Sequence, residues 1–222
     1  MLGLQIKICG VPPQSDIRTL ILANHISWVD IFALNAVSTA RFVAKSEVAS
    51  WPLIGQLCKG TGTLFIERGN KRDTVRLNKE IIAGLEAGQS IAVFPEGTTS
   101  DGSSLHPFRS ALLQPAIECG ATIQPIYLRY LDASGNPSRV TAYFDDITFG
   151  TSMWQVLGAK GITVELHYLP ALSAADSENR HSLSKKIEDQ IRAKHLALNP
   201  TMPDNRTTPE LGIPRHHPST LQ

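Results

Sequence analysis

Short apolar runs alternate with amphipathic stretches along most of this chain. The alternation predicts an α/β fold: a single domain with a mostly central mixed β-sheet flanked by helices. Two further observations agree. The 222 residues suffice for one good-sized core. The 14 prolines and 16 glycines are too many for a long helical bundle or a coiled coil.

The elements follow in chain order. Residues 3–9 and 19–23 read as strands and 28–37 as a helix. Short strands follow at 41–44 and 63–66, the second closed by Arg68-Gly69-Asn70. Asp73 is a candidate N-cap for a helix that carries Leu77, Ile81 and Leu85 on one stripe and ends at Gly88. Residues 90–94 form a strand stopped by Pro95. A helix at 110–118, started late by Pro107 and bent at Pro115, leads to strands at 123–129 and 139–144, with a turn at 132–137 between them. The last strand is 161–168. Over 177–196, Leu183, Ile187 and Ile191 recur at i, i+4 and i+8, which marks a helix with one apolar face. Packing on the sheet is its expected use, and lying on a membrane surface the other. From about Asn199 the chain carries five prolines and few large apolar residues, so the expected division is a domain at 1–198 and a mobile, Pro-rich tail at 199–222.

Composition removes several function classes. With 42% apolar and 18% charged residues the chain is a folded protein, and a net charge of +1 does not suit nucleic-acid binding on bulk charge. No run approaches the roughly 20 apolar residues of a spanning helix. The longest uncharged stretch is 147–159, interrupted by glycine and polar residues. The first ten residues lack a basic start followed by an apolar run, so no secretory leader is expected. Cys9, Cys58 and Cys119 are odd in number and far apart, which suggests neither a disulfide framework nor a metal site and fits a reducing compartment. No phosphate-loop, dinucleotide or H-E-x-x-H motif occurs.

Three segments carry chemistry. In Asn24-His25-Ile26-Ser27-Trp28-Val29-Asp30, His25 and Asp30 are five apart. On one helix five residues turn about 500°, leaving the two side chains about 140° apart. They meet only if His25 sits in the turn before the helix and Asp30 in its first turn. An imidazole held by a carboxylate is a general base, and with no G-x-S-x-G present the nucleophile would be a substrate hydroxyl. Ser27-x-x-Asp30 fits a plain capping box equally well. In Phe94-Pro95-Glu96-Gly97-Thr98-Thr99-Ser100, Gly97 allows close backbone approach, and Thr98, Thr99 and Ser100 offer donors to an anion; a polar turn is the alternative. In Gly62-Thr63-Leu64-Phe65-Ile66-Glu67-Arg68, Arg68 just past a strand can grip a phosphate. From Arg41 to Arg76, seven Arg/Lys face three acids, net +4, leaving the rest at about −3. This bias suits an anionic lipid or a phosphorylated substrate, or else is a solvated face.

Together these blocks resemble the glycerolipid acyltransferase family that includes 1-acyl-glycerol-3-phosphate acyltransferases, over roughly residues 3–170. The family blocks N-H-x-S-x-x-D, G-x-x-F-I-x-R and F-P-E-G-T-x-S fall on Asn24–Asp30, Gly62–Arg68 and Phe94–Ser100, with a weaker block at Pro125. The stretches around Phe42-Val43-Ala44-Lys45 and Trp51-Pro52-Leu53-Ile54 look like the family too. The resemblance implies His25 as base with Asp30 as partner. It implies that Arg68, Glu96 and Gly97 engage the acceptor's phosphate or glycerol end, with Thr98 and Lys45 as further binding candidates. The expected donor is acyl-CoA or acyl-carrier protein, a co-substrate rather than a cofactor, with no metal. The expected acceptor is 1-acyl-glycerol-3-phosphate, giving phosphatidic acid; another lysolipid such as lyso-ornithine lipid is the alternative, ahead of a thioesterase or a non-catalytic binder. The expected place is an anionic membrane surface on the cytoplasmic side, bound peripherally through Trp51, Leu53, Ile54 and nearby basic residues. Many relatives carry an apolar N-terminal segment before the first strand, whereas here about twenty residues precede His25.

Overall fold

The computed structural model describes residues 3–13, 18–51, 54–67, 69–144 and 146–200. Its eight strands are β1 (Leu4–Cys9), β2 (Thr19–Ala23), β3 (Arg41–Lys45), β4 (Leu64–Ile66), β5 (Ile91–Val93), β6 (Thr122–Leu131), β7 (Ile162–Tyr168) and β8 (Leu172–Ser173). The helices are α1 (Val29–Asn35), α2 (Ile54–Gly60), α3 (Lys71–Glu86), α4 (Gln114–Cys119), α5 (Phe149–Gly158) and α6 (Arg180–Leu198). The strands form one sheet in the order β1-β7-β6-β2-β5-β3-β4, with β8 beside β6. Strands β2, β3, β4 and β5 run parallel, as do β2 with β6 and β1 with β7, while β6 is antiparallel to β7 and β8. The sheet is therefore mixed and flanked by helices.

The centre of the sheet is β2, all five residues of which are buried. A parallel strand covered on both faces reads as a continuous apolar run. Its side chains alternate between two cores. Ile21 and Ala23 pack with Val29, Ala33 and Leu34 of α1 and Val156 of α5. Leu20 and Leu22 pack with Leu77, Ile81 and Leu85 of α3, Ala116 of α4 and Leu183, Ile187 and Ile191 of α6. Helices α1 and α5 thus cover one face and α3, α4 and α6 the other. The apolar stripe of α6 is fully buried, so this helix packs on the sheet.

Several boundaries differ from expectation. The N-cap of α3 is Asn70, whose side chain accepts from the N–H groups of Arg72 and Asp73, so the helix starts before Asp73. Asp73 instead accepts from Glu67 N–H and pairs with Arg76. The helix expected at 110–118 is a 3-10 turn (Ser110–Leu113) followed by α4, and Pro115 sits at its start, where its missing N–H costs nothing. Residues 139–144 form no strand. After the turn at Asp132, whose carboxylate accepts from Ser134 and Asn136 N–H, the chain leaves the sheet and Tyr143 N–H donates to Ile26 O. Helices α2 and α5 are additional to the expected elements, and α5 lies within the uncharged stretch 147–159. No helix among the described residues is long and apolar enough to cross a membrane. Asn199 is buried and donates to Tyr127 Oη, so the packed part extends past the start of the tail expected at 199–222, the rest of which, from 201 on, lies outside the described residues.

Because Ile187 is fully buried between α6 and the sheet, Ile187→Ala should lower unfolding free energy by about 2–5 kcal/mol in urea titrations. A change under about 0.5 kcal/mol, the range of exposed sites, would refute the packing of α6.

Candidate active site

The carboxyl ends of β2, β3 and β5 lie at one edge of the sheet, where open α/β sheets place their ligands. His25 follows β2, Lys45 ends β3, and the Phe94–Ser100 turn follows β5. Asn24 lets β2 stop there. Its side-chain amide donates to Leu128 O at 2.9 Å and accepts from Leu128 N–H at 2.7 Å, continuing the β2–β6 ladder with a side chain in place of main chain.

His25 then enters a turn held from both sides. Its N–H donates to Glu96 Oε1 at 2.8 Å, and its carbonyl accepts from Ser100 N–H at 2.9 Å. The imidazole Nδ1 lies 2.8 Å from Asp30 Oδ2. That same oxygen accepts from Ile26 N–H at 2.8 Å and Ser27 N–H at 3.0 Å, while Ser27 Oγ accepts from Val29 N–H at 3.2 Å. The capping arrangement and the His–Asp pair therefore coexist on one carboxylate. The other oxygen, Oδ1, accepts from Tyr130 Oη at 2.7 Å. Asp30 and Tyr130 are buried, and burial followed by the Asp30 charge raises the Tyr130 pKa, which keeps the phenol a donor. With Nδ1 turned to Asp30, Nε2 is the ring nitrogen left to meet a substrate.

The ring lies flat on Phe94, centroids 3.9 Å apart and planes 9° from parallel. It borders a cleft of about 340 Å³ walled by Trp28, Trp51, Tyr143, Phe94 and Ile54. Gly97, Thr98 and Thr99 form part of the wall, and Lys45 and Glu47, both exposed, also line it. The cleft therefore combines an apolar, aromatic interior with polar and charged groups beside the imidazole.

The structure gives Glu96 a different place from the expected contact with the acceptor. It is 3% exposed, and both oxygens are committed: Oε1 to His25 N–H and Oε2 to His106 N–H at 2.8 Å. Glu96 holds the turn beneath the cleft. Burial pushes its pKa up to about 8, against the pull of those two donors. Arg68 and Leu53 lie outside the described residues. Ile54, expected at the membrane, is buried.

A residue absent from the sequence reading is Arg109. Gly97 has φ +73°, and a Cβ built there would stand 2.9 Å from Arg109 Nε and 3.1 Å from Cζ. The guanidinium thus lies against the bare backbone of the cleft wall. Among the described residues it has no carboxylate partner. Cys9, Glu165 and His167 also converge across β1 and β7, ligand atoms within 4.8 Å, a proximity their spacing conceals. Glu165 there already binds Lys7 and Arg129 as well as His167; burial would raise its pKa, but these partners bring it down to about 2. That cluster is a satisfied ion network.

Two outcomes follow from this geometry. Tyr130→Phe removes a buried donor from an ionised group, so stability should fall by about 1.5–3 kcal/mol, with turnover reduced and KM nearly unchanged; an unaltered unfolding midpoint would show that the bond contributes nothing. Between the ordinary carboxylate pKa of 4.5 and about 8, folded Glu96 keeps a proton that the unfolded chain has released. Its contribution to stability is therefore complete below pH 4.5 and declines as pH rises to 8, by at most about 1.4 kcal/mol per unit. Glu96→Gln should flatten that decline in urea titrations run across the window, and an equal slope in both proteins would contradict it.

Comparison with known proteins shows the family. A family model described as Acyltransferase matches residues 11–129, which contain all three motif blocks. The 1-acyl-sn-glycerol-3-phosphate acyltransferase of Neisseria gonorrhoeae is 39% identical over 192 residues, 86% of this chain and 75% of the relative. The lyso-ornithine lipid O-acyltransferase of Pseudomonas aeruginosa is 31% identical over 191 residues, 86% of this chain and 72% of that one. The crystal structure of the 1-acyl-sn-glycerophosphate acyltransferase from Thermotoga maritima superimposes with a TM-score of 0.62 at 22% identity, covering 89% of this chain and 73% of the other, and it shares the fold. On the matched family model and these relatives, the chain belongs to the acyltransferase family and is an O-acyltransferase.

Proposed function

We propose that this enzyme moves a fatty acyl group from an acyl thioester to the free hydroxyl of 1-acyl-glycerol-3-phosphate, giving phosphatidic acid. The observation that carries the reading is the His25–Asp30 pair at 2.8 Å beside an aromatic cleft. His25 Nε2 takes the acceptor's hydroxyl proton as that oxygen attacks the thioester carbonyl. The new O–C bond forms, the C–S bond breaks, and the proton passes from His25 to the departing sulfur. The products are an ester and a free thiol. Asp30 stabilises the imidazolium between the two transfers.

The acceptor assignment draws on the relatives at 39% identity and on cations about the cleft. Lys45 lines it, and Arg109 lies against Gly97 with no acidic partner among the described residues. An arginine fork suits a phosphate. Arg68 belongs to the same proposal on its motif. Transfer to lyso-ornithine lipid is the second reading, favoured by four relatives of that name at 31–33% identity. The donor is acyl-CoA or acyl-carrier protein. The working place is the anionic surface of a membrane, on its cytoplasmic side.

Thiol release measured with each donor across a panel of lysolipids, with products identified by mass, tests this. Phosphatidic acid should form fastest. His25→Ala should lose at least about 10²-fold in turnover while staying folded. Arg109→Ala should raise KM about tenfold or more for the phosphate acceptor and little for lyso-ornithine lipid. Free fatty acid with and without acceptor would mean a thioesterase, and a preference for lyso-ornithine lipid would transfer the assignment to the second reading.

A further inference from the structure

The two faces of the sheet differ in charge. On one face α3 carries seven Asp, Glu, Lys or Arg among 16 residues and α6 seven among 19. On the other, α5 has none in ten, and the single charge of α1 is buried Asp30. The exposed large apolar residues follow the same division. Trp154 (76% exposed) and Leu157 (56%) lie on α5. Three residues apart, they share one helix face. Ile6 and Ile8 are exposed on β1 at the same parity as Leu4, which packs with the core beneath α1 and α5. Val140, also exposed, sits in the segment that crosses Ile26. Among the described residues Val75 of α3 breaks the division on the charged face, and Val11, past the end of β1 and 83% exposed, belongs to neither helix layer.

We propose that this face, led by Trp154 and Leu157, is the surface that enters the lipid bilayer. The proposal deepens the membrane part of the function above and rests on it. Three features select a bilayer as the occupant. The face is continuous with the cleft: Trp28 donates to Ser152 Oγ of α5 at 3.0 Å, and Phe149 at the start of α5 meets Trp28 and Trp51 with centroids 5.5 and 5.0 Å apart. Ser152 and Trp154 point about 200° apart on the helix. One side of α5 therefore buttresses the aromatic wall while the other is exposed, and a lipid meeting the outer side is about one helix diameter, roughly 10 Å, from the wall. The composition is that of an interface: a tryptophan and a leucine with no charge to desolvate. Lys160 just past α5 and Lys45 at the cleft supply positive charge for anionic headgroups.

The test is co-sedimentation of the whole chain with mixed phosphatidylcholine–phosphatidylglycerol vesicles, beside tryptophan quenching by brominated phospholipid. The double variant Trp154→Ala/Leu157→Ala should partition at least about tenfold more weakly, the least that removing two large apolar side chains from lipid should cost. Trp154→Phe should lose most of the quenching, leaving Trp28 and Trp51 little affected. Both sites are exposed, so the variants should fold. Equal partitioning of parent and double variant, or quenching that persists in Trp154→Phe, would overturn the proposal. So would a parent that sediments as a dimer without vesicles and becomes a monomer in the double variant, since the face would then be covered by a second copy. Acyl transfer to a water-soluble, short-chain lysolipid should survive in the double variant, and its loss there would mean that the change acts on the cleft instead. No such transfer by the parent, with vesicle binding as expected, would refute the acceptor assignment and leave the surface standing.

Discussion

The carboxylate of Asp30 gathers four donors within the protein: an imidazole, two main-chain N–H groups and a phenol. A carboxylate removed from water must be compensated in this way or it would take up a proton. The donors come from the turn after β2 and from the carboxyl end of β6. One ion therefore closes the first turn of α1, ties it to the sheet beneath, and orients His25. The capping motif and the catalytic motif compete as readings of the sequence, but in the folded chain they are one arrangement.

Around that ion the site is assembled from strand ends. Parallel pairing of β2, β3 and β5 brings segments some 70 residues apart to one edge. The turn after β5 reaches across and grips both main-chain groups of His25. The backbone holds the position of the ring, and the side-chain bond holds its orientation. Both controls suit the proposed role of His25, a base that would receive a proton at one nitrogen while the other stays engaged.

What could be read from the sequence follows from how far each interaction reaches. The His25–Asp30 pair is local, and helical geometry alone places it at a strand-to-helix junction. The stripe of α6 and the apolar run of β2 record burial directly. Asn24 was visible as a motif letter, but its task of replacing a rung of the ladder requires Leu128, 104 positions away. Tyr130 is 100 positions from Asp30, and Arg109 meets Gly97 only through the turn after β5. For Glu96, nothing in the neighbouring residues tells whether a carboxylate in a turn faces water or the interior. Helix α5 carries no charge and includes two glycines, Gly150 and Gly158, which are poor helix formers, so its ten residues stand out in the sequence only as an uncharged stretch. The strand expected at 139–144 is cut to a single bridge of Pro137 with Leu131 and the bond of Ser138 N–H to Tyr130 O, after which the chain turns away towards Ile26.

The flat contact of His25 with Phe94 has a stereochemical result. An imidazole nitrogen presents its lone pair in the plane of the ring, and the phenyl closes one side of that plane. An incoming alcohol must arrive edge-on, level with the two stacked rings, and cannot descend from above the phenyl. The direction of attack is thereby narrowed to a sector before any substrate contact is made, so the choice among hydroxyls begins with two aromatic planes lying together.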